Sequence, residues 1–197
     1  STYTGKVYLV NSRYDKIGDE PCYPSLSALP EVPDCALVAV NRELTVDIMR
    51  ECAKLGVGGG ILYASGFTET GKPEHIALQN ELAQISHESG VRMIGPNMIG
   101  AVNFSIGARM TFTPNVPLVK PGVHSIGYCA QSGSFGYASV QGHMHGVSLS
   151  HILACGNAVD VDVADYVNFL VDEPECRAIA CIFEGMVNPM RLVEAAQ

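Results

Sequence analysis

Short, nearly continuous apolar runs alternate along this chain with longer stretches in which apolar residues return every three or four positions. The runs predict strands at Val7–Val10, Ala36–Val40, Gly60–Tyr63, Arg92–Ile94, Ser125–Cys129, Ser150–Leu153 and Ala178–Phe183, each apolar on both faces, as strands of a covered parallel sheet are. The periodic stretches predict helices over Val46–Leu55, Glu74–Ser89, Phe135–His145, Val161–Leu170 and Pro189–Ala196, with Gly56 and Gly90 as C-terminal stops. Strand and helix in alternation point to an α/β fold of two doubly wound parallel-sheet units in series. Between Asn97 and Pro121 the helical period vanishes while Gly100, Gly107, Pro114, Pro117 and Pro121 accumulate, so the segment reads as a crossover or linker. A domain boundary is expected near residue 120, dividing the chain into 1–120 and 121–197.

At 197 residues, 47% apolar and 16% charged, the chain can bury a sizeable core. Its net charge of −8 argues against unspecific binding to nucleic acid or to an anionic membrane, both of which need a surplus of Lys and Arg. No apolar run approaches the ~18 residues of a membrane span and no signal peptide heads the chain, so a cytoplasmic protein is expected. The seven cysteines are scattered without a C-x-x-C pair, several of them in apolar runs, and are expected to be reduced core residues. His143, His145 and His151 lie close in sequence, but no Cys pair or carboxylate stands in register with them, so no metal site is expected. Asp160, Asp162 and Asp165 precede or open a predicted helix, where acidic residues act as electrostatic caps. Both chain ends are abrupt, as though cut from something longer.

The segment from Gly127 to Ala138 passes from a strand through Gln131, Ser132, Gly133 and Ser134 into a predicted helix. Unpaired backbone amides and the positive end of the helix dipole make such a turn an anion site. Ligands of open parallel sheets bind beyond the carboxyl ends of the strands. The residues there are Asn11, Ser12 and Arg13, then Asn41 and Arg42, then Ser65, Gly66 and Phe67, then Gly95, Pro96 and Asn97. They could line one crevice, with Arg13 and Arg42 as its cations for a phosphorylated ligand. G-x-G-x-x-G, the P-loop and the G-x-S-x-G nucleophile elbow are all absent from the sequence.

Taken in order, Tyr8–Ser12, Cys22–Leu26 with Leu29 and Pro30, Ala64–Glu69, Val91–Asn97, Ala130–Gly133, Gly156 and Asn157 with Asp160, and Phe183–Gly185 resemble the NDP-forming acyl-CoA synthetases, of which the succinyl-CoA synthetase alpha subunit is the best known. The resemblance implies a Rossmann-like CoA-binding domain lacking its first strand and Gly-rich loop, then a flavodoxin-like ligase domain lacking its C-terminal part. It implies a ligase forming acyl-CoA from a small carboxylic acid, CoA and ATP or GTP, through phosphohistidine and acyl phosphate. The nucleotide and Mg2+ would be held by an ATP-grasp domain or beta subunit outside this chain, within an oligomer. By motif, Asn11, Ser12, Arg13, Asn41, Arg42, Ser65, Gly66, Asn97 and Met98 match CoA-holding loops, Met98 standing where succinyl enzymes have cysteine and Ile99 where Pro or Leu is frequent. Ser132, Gly133 and Ser134 match the phosphate turn, and Glu184 the acid that contacts the active histidine. That histidine would lie after Gln197, and the acid pocket is expected around Phe135, Tyr137 and Asn157. A CoA-sensing module, as in domains fused to protein acetyltransferases, is the rival reading; a dinucleotide-binding redox domain is a third.

Overall fold

The computed structural model describes residues 3–114, 116, 125–133, 138, 140–186 and 188–197. Strands β1 (Leu9–Val10), β2 (Lys16–Ile17) and β3 (Glu20–Tyr23) make a small sheet in the order β1-β3-β2. Then come β4 (Cys35–Val38), α1 (Arg42–Leu55), β5 (Gly59–Leu62), α2 (Pro73–Ser89) and β6 (Arg92–Ile94), whose strands form a parallel three-stranded sheet in sequence order. Helix α1 starts where it does because Asn41 Oδ1 accepts from the Leu44 amide at 2.9 Å, and it stops at Gly56, whose φ of 76° suits glycine. Its buried residues, Thr45, Val46, Met49 and Cys52, repeat at helical spacing. Met49 settles on Gly60, where a Cβ would lie 2.7 Å from the Met49 sulfur, so glycine in β5 permits the close packing of helix on sheet.

A five-stranded sheet follows in the order β11-β9-β10-β7-β8, built from β7 (Gly100–Asn103), β8 (Ala108–Thr111), β9 (Ser125–Ala130), β10 (Leu149–Ala154) and β11 (Cys176–Ile182). Strands β9, β10 and β11 are parallel, whereas β7 runs antiparallel to both β10 and β8. Among the described residues, helices α3 (Val163–Val171) and α4 (Met190–Ala195) belong to this half. Asp162 caps α3 with its Oδ1 on the Ala164 and Asp165 amides, and Asp165 returns a bond to the Asp162 amide, a full capping box. Arg191 of α4 reaches both carboxylates, at 2.9 and 2.7 Å, so the acidic cluster is a cap and a helix tie.

Three expectations are corrected. The first apolar run is not a covered strand of a main sheet: β1 spans Leu9–Val10, pairs with β3, and leaves Val7 72% exposed. The segment from Asn97 to Pro121 is no bare linker, because it holds the β7–β8 hairpin, hydrogen-bonded to β10. The cysteines are all free but not all core: Cys52, Cys129 and Cys155 are buried, Cys22, Cys176 and Cys181 half-buried and Cys35 exposed. Of the helix expected over Phe135–His145, residues 135–137 and 139 lie outside the described residues, and Gln141–His145 form a 3-10 turn ended by Gly146.

The two larger sheets are joined by backbone. The chain leaving β10 lies along the end of β6: the amides of Asn157, Val159 and Val161 donate to the carbonyls of Pro96, Gly95 and Met93 at 2.9, 2.9 and 3.1 Å. Asp160 secures the strip, accepting from Arg92 Nε and the Met93 amide at 2.9 and 2.8 Å. Beneath it one apolar cluster runs across, with Ile61 and Met98 packed among Ala101, Cys129 and Leu153. No helix among the described residues is long and apolar enough to cross a membrane.

His151 of β10 is 1% exposed, with its ring edge-on to Phe169 and Nε2 3.9 Å from Glu173. Burial pushes its pKa down, against a weaker upward pull from Glu175. A folded-state pKa below the unfolded value means that the unfolded chain binds more protons, so stability should fall as pH drops through about 6.5. His151→Leu should flatten that slope and raise stability by about 1 kcal/mol at mildly acid pH, as read by urea unfolding at two pH values.

Candidate functional site

The carboxyl ends of both parallel sheets open on one cleft of about 690 Å3. Beyond β5 it receives Tyr63, Ser65, Thr68 and Glu69; beyond β6, Asn97, Met98 and Ile99. The turn after β9 contributes Gln131, Ser132 and Gly133, the loop after β10 Gly156 and Asn157, the loop after β11 Glu184, and the end of β8 Phe112. Gln131 acts as a brace rather than a contact group, its Oε1 accepting from the amides of Glu184 and Gly185 at 2.9 and 3.3 Å. The phosphate-type turn and the acidic loop are thereby held side by side. Gly133 is wedged under Ile99, where a Cβ would sit 2.8 Å from Ile99 Cγ2.

A hydrogen-bonded cluster lines the opposite wall. Asn157 Nδ2 lies 2.6 Å from Glu69 Oε2, 2.9 Å from Gln79 Oε1 and 3.3 Å from Thr68 Oγ1, while its Oδ1 accepts from Asn97 Nδ2 at 3.3 Å. Glu69 also receives the Gly66 and Phe67 amides, at 2.5 and 3.0 Å. Partial burial raises the Glu69 pKa, but the Asn157 bond and these amides outweigh it, so the carboxyl rests below its ordinary value and is ionised at neutral pH. Burial pushes the Tyr63 phenol up to about 12, which keeps it protonated. No Lys or Arg is among the described lining residues, whereas Glu69 and Glu184 both are.

Of the residues singled out by sequence, the cleft gathers Ser65, Asn97, Met98, Ser132, Gly133 and Glu184. It does not gather Asn11, Ser12, Arg13, Asn41, Arg42 or Gly66 among its lining. Arg13 and Arg42 are therefore not its cations: Arg13 is exposed beyond the small sheet, where its amide bonds Asn11 Oδ1, and Arg42 folds over Gly66 with its Nε 2.9 Å from Glu43. Asn41 spends its side-chain oxygen on capping α1. Ser134, Phe135 and Tyr137 lie outside the described residues. Thr68, Glu69, Gly156 and Asn157 carried motif signals without a predicted role as a network, and Tyr63, Gln79 and Phe112 carried no signal.

Two parallel sheets aimed at a shared cleft, one of them extended by an antiparallel hairpin, define a protein with a CoA-binding and a flavodoxin-like unit. Residues 2–103 match the CoA binding domain family and residues 123–197 the succinyl-CoA ligase like flavodoxin domain. The chain is 32% identical over 194 residues to the alpha subunit of ADP-forming acetate–CoA ligase II from Pyrococcus furiosus, covering 98% of this chain and 41% of that protein. It is 32% identical over 197 residues to a trans-feruloyl-CoA synthase of unknown prokaryotic source, covering 99% of this chain and 28% of that protein. The acetyl-coenzyme A synthetase 1 of Ca. Korarchaeum cryptofilum, solved with phosphate and ADP, superposes with a TM-score of 0.88 at 28% identity, over 98% of this chain and 41% of that one. The chain belongs to the NDP-forming acyl-CoA synthetase family. It spans well under half the length of these relatives.

Proposed function

We propose that this chain is the CoA-binding and acyl-transfer part of an ADP-forming acid–CoA ligase that works with an ATP-grasp domain or subunit. The observation that carries this reading is the convergence of the Ser132–Gly133 turn, Glu184, Ser65 and Asn97 on one cleft from two sheets. The donor set suits the arm of CoA, since Asn97 and Ser65 offer neutral donors and acceptors to its amides and buried Met98 offers an apolar surface to its methylenes. Asn11, Ser12, Arg13, Asn41, Arg42 and Gly66 would then serve the part of CoA outside the cleft.

In this reading a phosphoryl group, brought on a histidine from outside the described chain, is transferred to the substrate carboxylate. The CoA thiolate forms a bond to the acyl carbon, and the carbon–oxygen bond to phosphate breaks. Exchanging a poor leaving group for phosphate makes the second step feasible. Ser132 and Gly133 orient the phosphoryl oxygens through hydroxyl and amide donors. Glu184 fixes and charges the incoming imidazole. Because the charged side chains among the described lining residues are acidic, the phosphoryl charge would be met by the backbone amides of the turn and by Mg2+ supplied with the nucleotide. Ser132→Ala in the full-length enzyme should lower acyl-CoA formation by about 10²-fold while leaving the KM for CoA within about twofold. An unchanged rate would remove the turn from the chemistry.

A further inference from the structure

One wall of the cleft carries apolar side chains beyond the Met98 surface that the reading above gives to CoA. Ile99 touches the anion turn at Gly133, buried Met98 lies next to it in the chain, and beyond them Tyr63 and Phe112 form an edge-to-face pair with ring centroids 5.6 Å apart at 85°. Phe112 is 63% exposed in the cleft lining, so its ring is open to an apolar group entering there. This wall begins where the reading above places the substrate carboxylate. Among the described residues, the side chain of an acid held at Ser132 and Gly133 therefore has Ile99 and the aromatic pair as its nearest apolar surface. The cleft also carries Glu69 and, beside the anion turn, Glu184, and among the described lining residues no Lys or Arg balances them. A second carboxylate on the substrate would meet two negative charges with no cation to pair with.

We infer, resting on the ligase reading, that the acid is a monocarboxylic acid with a ring-sized apolar side chain, an arylalkanoic or arylacrylic acid, selected by Tyr63, Ile99 and Phe112. Acetate leaves the wall unfilled. Each missing methylene in such a pocket costs roughly 10–200-fold in kcat/KM, so a ring should be preferred strongly. Succinate is disfavoured by charge rather than by size.

The test is a substrate panel of phenylacetate, cinnamate, acetate and succinate with the full-length enzyme and its nucleotide-binding partner at saturating ATP and CoA, followed by Phe112→Ala. The expected result is that an aryl acid exceeds acetate by at least about tenfold in kcat/KM and succinate is inert. Phe112→Ala should lower the aryl-to-acetate ratio by about tenfold or more, through the KM for the aryl acid and not that for CoA. Because Phe112 is exposed, its truncation leaves the core intact. A preference for acetate or succinate overturns the inference and leaves the ligase reading standing. So does a Phe112→Ala enzyme whose KM for CoA rises with acid selectivity unmoved, since the wall would then hold the pantetheine arm. Acyl-CoA formation from none of the four acids overturns both.

Discussion

Gly156→Ala should destabilise the protein by about 3 kcal/mol, the larger part of it from one contact. Gly156 has a φ of 57°, and a Cβ there would overlap the Pro96 carbonyl oxygen and stand 2.7 Å from that of Asn97. Both obstacles are backbone, so neither can rotate away, and relief would require the strip after β10 to lift from the end of β6. That movement would break the Asn157, Val159 and Val161 amide bonds that join the two sheets. Gly146→Ala is the matched control: its φ is 79°, but a Cβ there meets nothing within 4 Å, so it should lose about 1 kcal/mol from backbone conformation alone. Thermal unfolding reads the difference, at roughly 2–4 °C per kcal/mol for a unit of this size. Equal losses in the two variants would show that the Pro96 contact does not hold the sheets together.

Asn157→Asp should cost about 2 kcal/mol at neutral pH, because a carboxylate replaces the amide donor now 2.6 Å from Glu69. The solvent exposure of Glu69 keeps the figure at the lower end. The pH dependence is the sharper signature. In the wild type the Glu69 pKa is depressed, so its stabilisation is present above the ordinary value of 4.5 and is lost as pH falls through the folded value. In the variant two carboxylates share one site, one pKa is raised, and stability should increase as pH falls from neutrality toward about 5. Between neutrality and about pH 5 the variant should gain stability relative to the wild type, whose Glu69 contribution is constant there, as read by urea unfolding; parallel curves would mean that the introduced carboxylate had turned away from Glu69. Asn157→Ala, which removes the donor without adding charge, should show the loss without that gain.

The features that were legible in the sequence are those with local chemical marks. Helices α1 and α2 announce themselves through their glycine stops, Gly56 and Gly90, and α3 through its acidic cap at Asp162 and Asp165, whereas the Asn41 cap and Pro73, which start α1 and α2 ahead of the expected Val46 and Glu74, do not stand out in the apolar period. The turn at Ser132 and Gly133 and the Glu184 loop were found by motif, and both line the cleft. The β7–β8 hairpin was missed because Gly100 and Gly107 resemble linker punctuation. Gly100 is instead required by the pairing: its φ is 119°, and a Cβ there would overlap the Met110 carbonyl oxygen. The seam was invisible for a different reason, since it is built from amides and carbonyls, and backbone groups leave no residue code. The Glu69–Asn157 bond joins residues 88 positions apart, and nothing local to either predicts the other. Arg13 and Arg42 were placed in the crevice by loop position alone, but the loop after β1 leaves a separate small sheet and Arg42 is engaged with Glu43 and Gly66.

The most direct test of the ligase reading is product stoichiometry. The full-length enzyme with its ATP-grasp partner should convert ATP, CoA and an aryl acid to acyl-CoA, ADP and phosphate in equal amounts. Ser132→Ala should lower all three together. Binding of CoA without any acyl-CoA or ADP would contradict the ligase reading and leave the cleft a sensing site, and release of AMP and pyrophosphate would contradict the phosphoryl-transfer route.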